Sequence, residues 1–134
     1  MKNFNKTAPT KKIQVPVRTM LKGMKHPVVQ KVDLVGVERV PLIIHRSFNN
    51  TDELKIIRGM WQITHLFTGY NIGIFGSYKY CRAVANDLLD EPLLYFPSQA
   101  MMMAHEGWKD LGIRLAGIRD EHWYLGGKWS RFRD

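Results

Sequence analysis

The stretch from residue 60 to residue 91 places the strongest constraint on what this chain can fold into. Residues 60–67 alternate apolar and polar side chains, which is the period of a half-buried β-strand. Residues 68–71 have turn chemistry, and residues 71–75 predict a second strand. Ser77 follows as a helix N-cap, because its hydroxyl can accept a free backbone amide of the first helical turn. The stretch therefore predicts a strand–turn–strand–helix unit.

Two or three helices are predicted from Ser77 onward. The first covers residues 77–90 and ends before Pro92, since proline cannot continue a helix. Its apolar stripe at helical spacing consists of Cys81, Val84, Ala85, Leu88 and Leu89. Residues 99–111 predict a second helix and residues 113–122 a third, short one. Three glycines each weaken a helix here by about 1 kcal/mol relative to alanine: Gly107, Gly112 and Gly117.

The residues before this unit predict further strands. Residues 28–35 and residues 40–48 are rich in β-branched and apolar side chains, and a turn over residues 36–39 would join them into a hairpin. Residues 13–17 alternate in the same way and predict a short extended segment. Pro16 has no backbone N–H to donate, so an edge strand is the expected place for this segment.

Together these elements predict an α+β fold. A twisted antiparallel sheet of four or five strands would be packed by the helix at 77–90 and by the C-terminal helices. The length of 134 residues fits a single domain. The predicted core contains Ile43, Ile63, Ile72, Ile74, Val84, Leu88 and Leu111.

The positive charge of the chain is concentrated at one end. The net charge is +8; no acidic residue precedes Asp33, whereas residues 33–134 hold twelve basic and twelve acidic residues. The first twelve residues are polar, basic and nearly free of apolar side chains, which is typical of a mobile segment. We therefore divide the chain into a basic, partly mobile arm over residues 1–27 and one α+β domain over residues 28–134.

A basic segment without acidic residues is attracted to polyanions by electrostatics and counterion release. The arm therefore predicts a non-enzymatic binding protein that contacts RNA, DNA or a ribonucleoprotein. The residues expected to contact this partner are Lys2, Lys6, Lys11, Lys12, Arg18, Lys22, Lys25, Tyr70, Lys79, Arg82, Trp129 and Arg131. The simpler alternative is a solvated arm that only keeps the protein in solution.

Aromatic residues interleaved with cations favour a second hypothesis. One such group spans residues 70–82, and another lies at residues 123–133. Tyr, Trp and Arg are frequent anchors of protein–protein interfaces as well as of nucleic-acid contacts. An accessory or inhibitor protein that binds another protein through this aromatic-basic face is therefore the alternative function.

Catalysis is a third hypothesis, and it depends on two histidines. His45 and His65 lie on neighbouring predicted strands, so the two side chains could meet and act as acid and base in a metal-free nuclease. The histidine spacing fits no metal motif, and no phosphate-binding glycine loop is present, so we expect no metal and no cofactor. Cys81 is expected to be a buried thiol.

The chain shows no apolar leader and no apolar run long enough to span a bilayer. These features predict a cytoplasmic protein without a membrane partner. The oligomeric state stays open.

Residues 60–91 resemble the C-terminal half of a double-stranded-RNA-binding domain. The resemblance lies in the strand pair, in the glycine before Ser77 and in a helix containing Lys79, Ala83 and Ala85. It implies contact with duplex RNA at the start of this helix. The family carries two lysines directly after the serine, whereas this chain has Tyr78 and Lys79 there.

The same unit is similar to small phage-encoded accessory proteins, a group that includes inhibitors of bacterial defence systems. The similarity lies in residues 61–65, in Thr68-Gly69 and in the strand and serine-capped helix that follow. It implies a stoichiometric binder acting in the host cytoplasm, for example by blocking a bacterial defence complex.

Overall fold

A computed structural model describes residues 3–19, 23, 25–26, 28–49 and 55–125 of the chain. The strands are β1 (Lys12–Thr19), β2 (Val28–Arg39), β3 (Leu42–Asn49), β4 (Lys55–His65) and β5 (Asn71–Phe75). The helices are α1 (Tyr78–Leu88), a 3-10 helix (Pro92–Tyr95), α2 (Gln99–Met103) and α3 (Trp108–Leu125). The strands form one antiparallel sheet in the order β1-β2-β3-β4-β5, which confirms the predicted α+β fold.

Strand β2 changes its pairing partner at Gly36. Its first eight residues pair with β1 and its last four with β3. A Cβ atom at Gly36 would lie 2.6 Å from the carbonyl oxygen of Ile44 and 2.8 Å from the Cβ of His45. Only glycine fits at this position of β2, because the backbone of β3 comes so close to it. The predicted turn over residues 36–39 is therefore wrong. The turn lies at Val40–Pro41, and the predicted hairpin is confirmed.

Strand β3 is buried on both faces. Leu42 and Ile44 belong to a core cluster beneath the helices. Ile43 points to the opposite face, because successive residues of a strand alternate. It packs in a second cluster with Val15, Val17, Leu34 and Phe48. The β1–β2 hairpin therefore covers part of the face that the helices leave open.

Helix α1 follows the sequence prediction closely. The Ser77 hydroxyl accepts the backbone N–H of Tyr80 at 3.2 Å and caps the helix. Four residues of the predicted stripe are buried, namely Cys81, Val84, Ala85 and Leu88, and Leu89 is partly buried. The helix ends at Leu88, and Pro92 starts the 3-10 helix. The predicted core is confirmed for all its members except Ile74, which is half-buried.

The C-terminal helices differ from the prediction in where they break. The predicted helices over 99–111 and 113–122 are replaced by the short α2 and the long α3, with the break at residues 104–107. His105 stabilises the turn at this break, because its Nδ1 accepts a hydrogen bond from the backbone N–H of Gly107 at 2.9 Å. Helix α3 continues through Gly112 and Gly117, since its apolar side chains pack on the sheet cluster: Trp108, Leu111, Leu115 and Ile118. None of the described helices is both long and apolar enough to cross a membrane.

The N-terminal segment contacts the rest of the protein through a buried side chain and through hydrogen bonds. Phe4 is only 4% exposed and belongs to the helix-side cluster, and its backbone N–H donates to Asn86 Oδ1 at 2.8 Å. The hydroxyl of Tyr78 donates to the carbonyl oxygen of Asn5 at 2.6 Å. Strand β1 lies at the sheet edge, as predicted from Pro16. The predicted boundary between arm and domain at residue 27 thus lies between β1 and β2, which pair with each other. The mobility of the rest of the arm stays a prediction.

Candidate functional site

Arg18 and Tyr70, both predicted to contact the partner, lie against each other. The guanidinium carbon of Arg18 is 4.4 Å from the centroid of the Tyr70 ring. Gln99 joins them, because its Oε1 accepts from Arg18 Nη1 at 3.3 Å and its Nε2 donates to the Tyr70 hydroxyl at 2.6 Å. We call these three residues the Arg18 cluster. Such cation–aromatic contacts contribute about 0.5–1 kcal/mol at exposed sites.

The β4–β5 turn brings Tyr70 to Arg18 through Gly69. Gly69 has a φ of +74°, a region that glycine enters without strain. A Cβ atom on it would lie 3.2 Å from Arg18 Cγ and 3.4 Å from the carbonyl oxygen of Pro16. A side chain on residue 69 would therefore be strained by the positive φ and would press closely on Arg18, so Gly69 suits this close approach of the turn to β1.

His65 braces the same turn from inside. Its Nε2 is 2.7 Å from the carbonyl oxygen of Leu94, and its Nδ1 is 2.7 Å from Thr68 Oγ1. A carbonyl can only accept, so Nε2 carries the proton and Nδ1 accepts from the Thr68 hydroxyl. Burial lowers the pKa of His65, because the charged ring would lose its hydration. His65 is thus a neutral, fully bonded link between the turn and the 3-10 helix.

An apolar pocket of about 290 Å³ opens beside Tyr70, between β5, the 3-10 helix, α2 and α3. Its buried lining consists of His65, Ile72, Leu94, Met102 and Leu111. Its more exposed lining consists of Tyr70, Asn71, Trp108, Gly112, Leu115 and Ala116. No Asp, Glu, Lys or Arg is among these described lining residues. The pocket therefore suits a neutral, flat or apolar group.

A second group of cations and aromatics lies near the start of α1. The guanidinium carbon of Arg46 is 4.2 Å from the Trp61 ring centroid, and Trp61 meets Tyr78 edge-on at 5.3 Å. Burial raises the pKa of Tyr78, whereas the nearby Arg82 and Arg39 act in the opposite direction. The predicted residue Arg82 is therefore part of a positively charged region around Tyr78.

The charges of α1 run against its dipole. Lys79 is exposed in the first turn, which contains no acidic residue, and Arg82 follows one turn later. Asp87 lies near the end of the helix, where no basic residue is present in the last turn. The favourable arrangement is the reverse, at about 0.3–1 kcal/mol for each charge. The start of α1 is thus strongly positive.

The remaining predicted contact residues divide into two sets. Lys6, Lys11, Lys12 and Lys25 are exposed. Lys2, Lys22, Trp129 and Arg131 lie outside the described residues. The structure thus brings Arg18 to Tyr70, and Arg82 to Tyr78, but it places these two pairs in different clusters.

His45 and His65 cannot act as a pair, contrary to the sequence hypothesis. His65 pairs with Leu42 across β3 and β4, whereas His45 pairs with Gln62. Cross-strand partners lie on the same face of a sheet, so His65 lies on the face of Leu42. Successive residues of a strand alternate between the two faces, so His45, three positions after Leu42, lies on the other face. The two histidine rings are therefore on opposite faces of the sheet. The predicted acid–base arrangement is therefore not formed.

His45 is instead part of a buried polar cluster. Its Nδ1 donates to the carbonyl oxygen of Arg46 at 2.8 Å, and its Nε2 accepts from Thr64 Oγ1 at 2.6 Å. Gln62 donates to the same hydroxyl oxygen at 3.1 Å. Desolvation lowers the pKa of His45 to about 4, although the Arg46 carbonyl acts in the opposite direction. Both ring nitrogens are used, which gives His45 a structural role.

Sequence reasoning missed several members of these clusters. Gln99 was part of a predicted helix only, and Arg46 and Arg39 were not singled out. No local pattern connects residues 18, 70 and 99, because their contact depends on how the sheet and α2 meet. Within the described part of the chain, no three His, Cys, Asp or Glu side chains are grouped to hold a metal ion.

Comparisons of the chain with protein families, with curated proteins and with solved structures found no match.

Proposed function

We propose that the protein is a non-enzymatic nucleic-acid-binding protein, with RNA, DNA or a ribonucleoprotein as its partner. One observation carries the proposal. The hydrogen bond from Tyr78 to Asn5 holds the acid-free N-terminal segment against α1, next to the positive start of that helix. Cations that are far apart in sequence thereby contribute to one region.

The composition of this region suits phosphates. Lys6 follows Asn5 directly and is exposed, as is Lys79 in the first turn of α1. The free backbone amides at a helix start add positive potential to these side chains. The positive charges at the start of α1 do not stabilise the helix. Contact with an anionic partner would make these charges favourable.

A titration with single-stranded and duplex oligonucleotides tests this function. The double variant Lys79→Glu/Arg82→Glu should lose most of the affinity at about 50 mM salt and should reduce the salt dependence, because each lost phosphate contact removes about 0.7–0.9 from the logarithmic slope. The charge-matched comparison is Lys79→Glu alone with Lys109→Glu, since both are exposed lysines, on α1 and on α3. Absence of salt-dependent binding in the unmodified protein, or an equal loss in Lys79→Glu and in Lys109→Glu, would contradict the proposal.

A protein partner is the second candidate, and exposed apolar side chains favour it. Tyr95, Met101, Met103 and Ile113 are 47%, 50%, 54% and 65% exposed. Apolar and aromatic side chains of this kind are typical of interfaces. An inhibitor that blocks a bacterial defence complex would use such a surface, and its binding would depend little on salt.

A further inference from the structure

We propose that the pocket beside Tyr70 binds one unpaired base of a single-stranded nucleic acid, with Arg18 supplying positive charge beside Tyr70. This inference rests on the proposed function and deepens it, because it names the form of nucleic acid that is bound. It makes the protein selective for single strands, since a base inside a duplex cannot enter a pocket without leaving its stack.

The size of the pocket limits the ligand to about one ring system. Its volume of about 290 Å³ lies just below the roughly 300–1,000 Å³ typical of small-molecule sites. An extended ligand would not fit, whereas a purine or pyrimidine ring has the required compact and flat shape. The pocket is also partly open, because Gly112 and Ala116 on its rim are exposed.

The chemistry of the lining fits a neutral base. Trp108, Met102 and Leu111 provide apolar and aromatic surface. Aromatic contact of this kind is sequence-tolerant, because every base has a flat face that can stack. The Tyr70 hydroxyl accepts from Gln99 and keeps its own hydrogen to donate to an acceptor on the base edge.

The charge beside the pocket fits a phosphate backbone. Arg18 covers the Tyr70 ring at 4.4 Å, and Tyr70 is itself part of the pocket lining. A base that enters next to Tyr70 therefore brings its own phosphate close to a guanidinium group. Positive charge beside an aromatic platform is the arrangement that single-strand-binding proteins use.

The pocket is held in shape before a ligand arrives. His65 bonds Thr68 on the turn side and Leu94 in the 3-10 helix, so one ring connects two walls. A preformed site binds more tightly, because less ordering remains to be done on binding. His65 also lines the pocket, so in this proposal the ring both fixes the two walls and borders the bound base.

Two glycines of α3 provide a matched test. Gly112 lines the pocket and Gly117 does not, and a Cβ atom at either position meets no atom within 4 Å. Leucine has a higher helix propensity than glycine at either position, so both variants should fold. Gly112→Leu adds a bulky side chain at a residue that lines the pocket and is expected to obstruct it, whereas Gly117→Leu makes the same chemical change one turn and a half further along α3.

The measurement is fluorescence anisotropy with three probes: a mixed-sequence single strand, the same strand with abasic sites throughout, and its duplex. We expect the unmodified protein to prefer the intact strand over the abasic strand at least about fivefold. Gly112→Leu should remove this preference and leave abasic binding unchanged, whereas Gly117→Leu should retain it. The duplex should bind no better than the abasic strand.

The outcomes separate this inference from the proposed function. Equal, salt-dependent binding of intact and abasic strands would overturn the pocket proposal and leave the nucleic-acid function standing. A preference that survives in Gly112→Leu would do the same. No binding of any probe at about 50 mM salt would overturn both.

Discussion

The imidazole of His65 joins Thr68 to Leu94, with 2.7 Å at each of its two nitrogens. The ring is 2% exposed, so neither partner can be replaced by water without rearrangement. One buried histidine thus fixes the β4–β5 turn relative to the 3-10 helix and defines one side of the pocket.

His65→Ala should therefore lower the stability of the whole domain. The change leaves a cavity and removes a hydrogen bond from two buried partners, and we expect a loss of about 2–4 kcal/mol. Urea unfolding at neutral pH measures it. His26→Ala is the control, because His26 is exposed and its loss should cost less than about 0.5 kcal/mol. Equal losses of unfolding free energy in the two variants would show that the hydrogen bonds of His65 do not stabilise the domain.

Acid should weaken the fold through His45. Its folded-state pKa is lowered to about 4 from 6.5, so the unfolded state binds a proton more readily. The stabilisation is present above pH 6.5 and is lost as pH falls toward 4, by roughly 3 kcal/mol in total. The lowered pKa of His65 acts in the same direction.

Urea unfolding of the unmodified protein and of His45→Gln, between pH 7 and pH 4.5, separates the His45 contribution from that of the carboxylates. The free energy of unfolding should fall more steeply with acidification in the unmodified protein. Parallel curves would mean that His45 titrates normally in the folded state.

Gly36→Ala should be strongly destabilising, although Ala is favoured over Gly at most positions. The added methyl group would meet the backbone oxygen of Ile44 at 2.6 Å, and a backbone atom cannot rotate away. We expect a loss of at least about 1–3 kcal/mol. Gly117→Ala is the control with the opposite sign, since it should stabilise α3 by roughly 1 kcal/mol. Thermal unfolding followed by circular dichroism compares the two, and a tolerated Gly36→Ala would contradict the close strand approach.

Two serines should respond in opposite ways to replacement by alanine. The Ser47 hydroxyl is buried and has no hydrogen-bond partner among the described residues, so Ser47→Ala should stabilise the protein by about 1 kcal/mol. The Ser77 hydroxyl caps α1, so Ser77→Ala should cost about 1 kcal/mol. Denaturant midpoints of both variants in one series measure the signs, and a destabilising Ser47→Ala would reveal a partner for its hydroxyl.

Features encoded by near neighbours were predictable from the sequence. Strand β5 and the Ser77 cap each follow from a few adjacent residues, and the structure has them where predicted. The connection before β5 covers residues 66–70, two residues earlier than the predicted turn over 68–71, because β4 ends at His65. Gly36 was misassigned because a glycine in a turn and a glycine under a neighbouring strand look alike in one sequence.

Features that depend on strand register were not predictable. His45 and His65 were placed on neighbouring strands correctly, but the face of each ring follows from a register that no local pattern fixes. The contact of Arg18 with Gln99 spans 81 residues and depends on the packing of α2 beside β1. The predicted contacts at Trp129 and Arg131 stay predictions, since both residues lie outside the described part of the chain.

The sheet order has a consequence for synthesis on the ribosome. Each strand pairs with the strand made just before it, so hairpins can form as the chain emerges. Phe4 is different, because its backbone partner Asn86 is 82 residues away. At synthesis rates of roughly 5–20 residues per second, several seconds pass between the synthesis of Phe4 and that of α1, which contains Asn86. Phe4 is therefore synthesised long before its final contacts, and the nascent chain carries an exposed phenylalanine near its lysines until α1 appears.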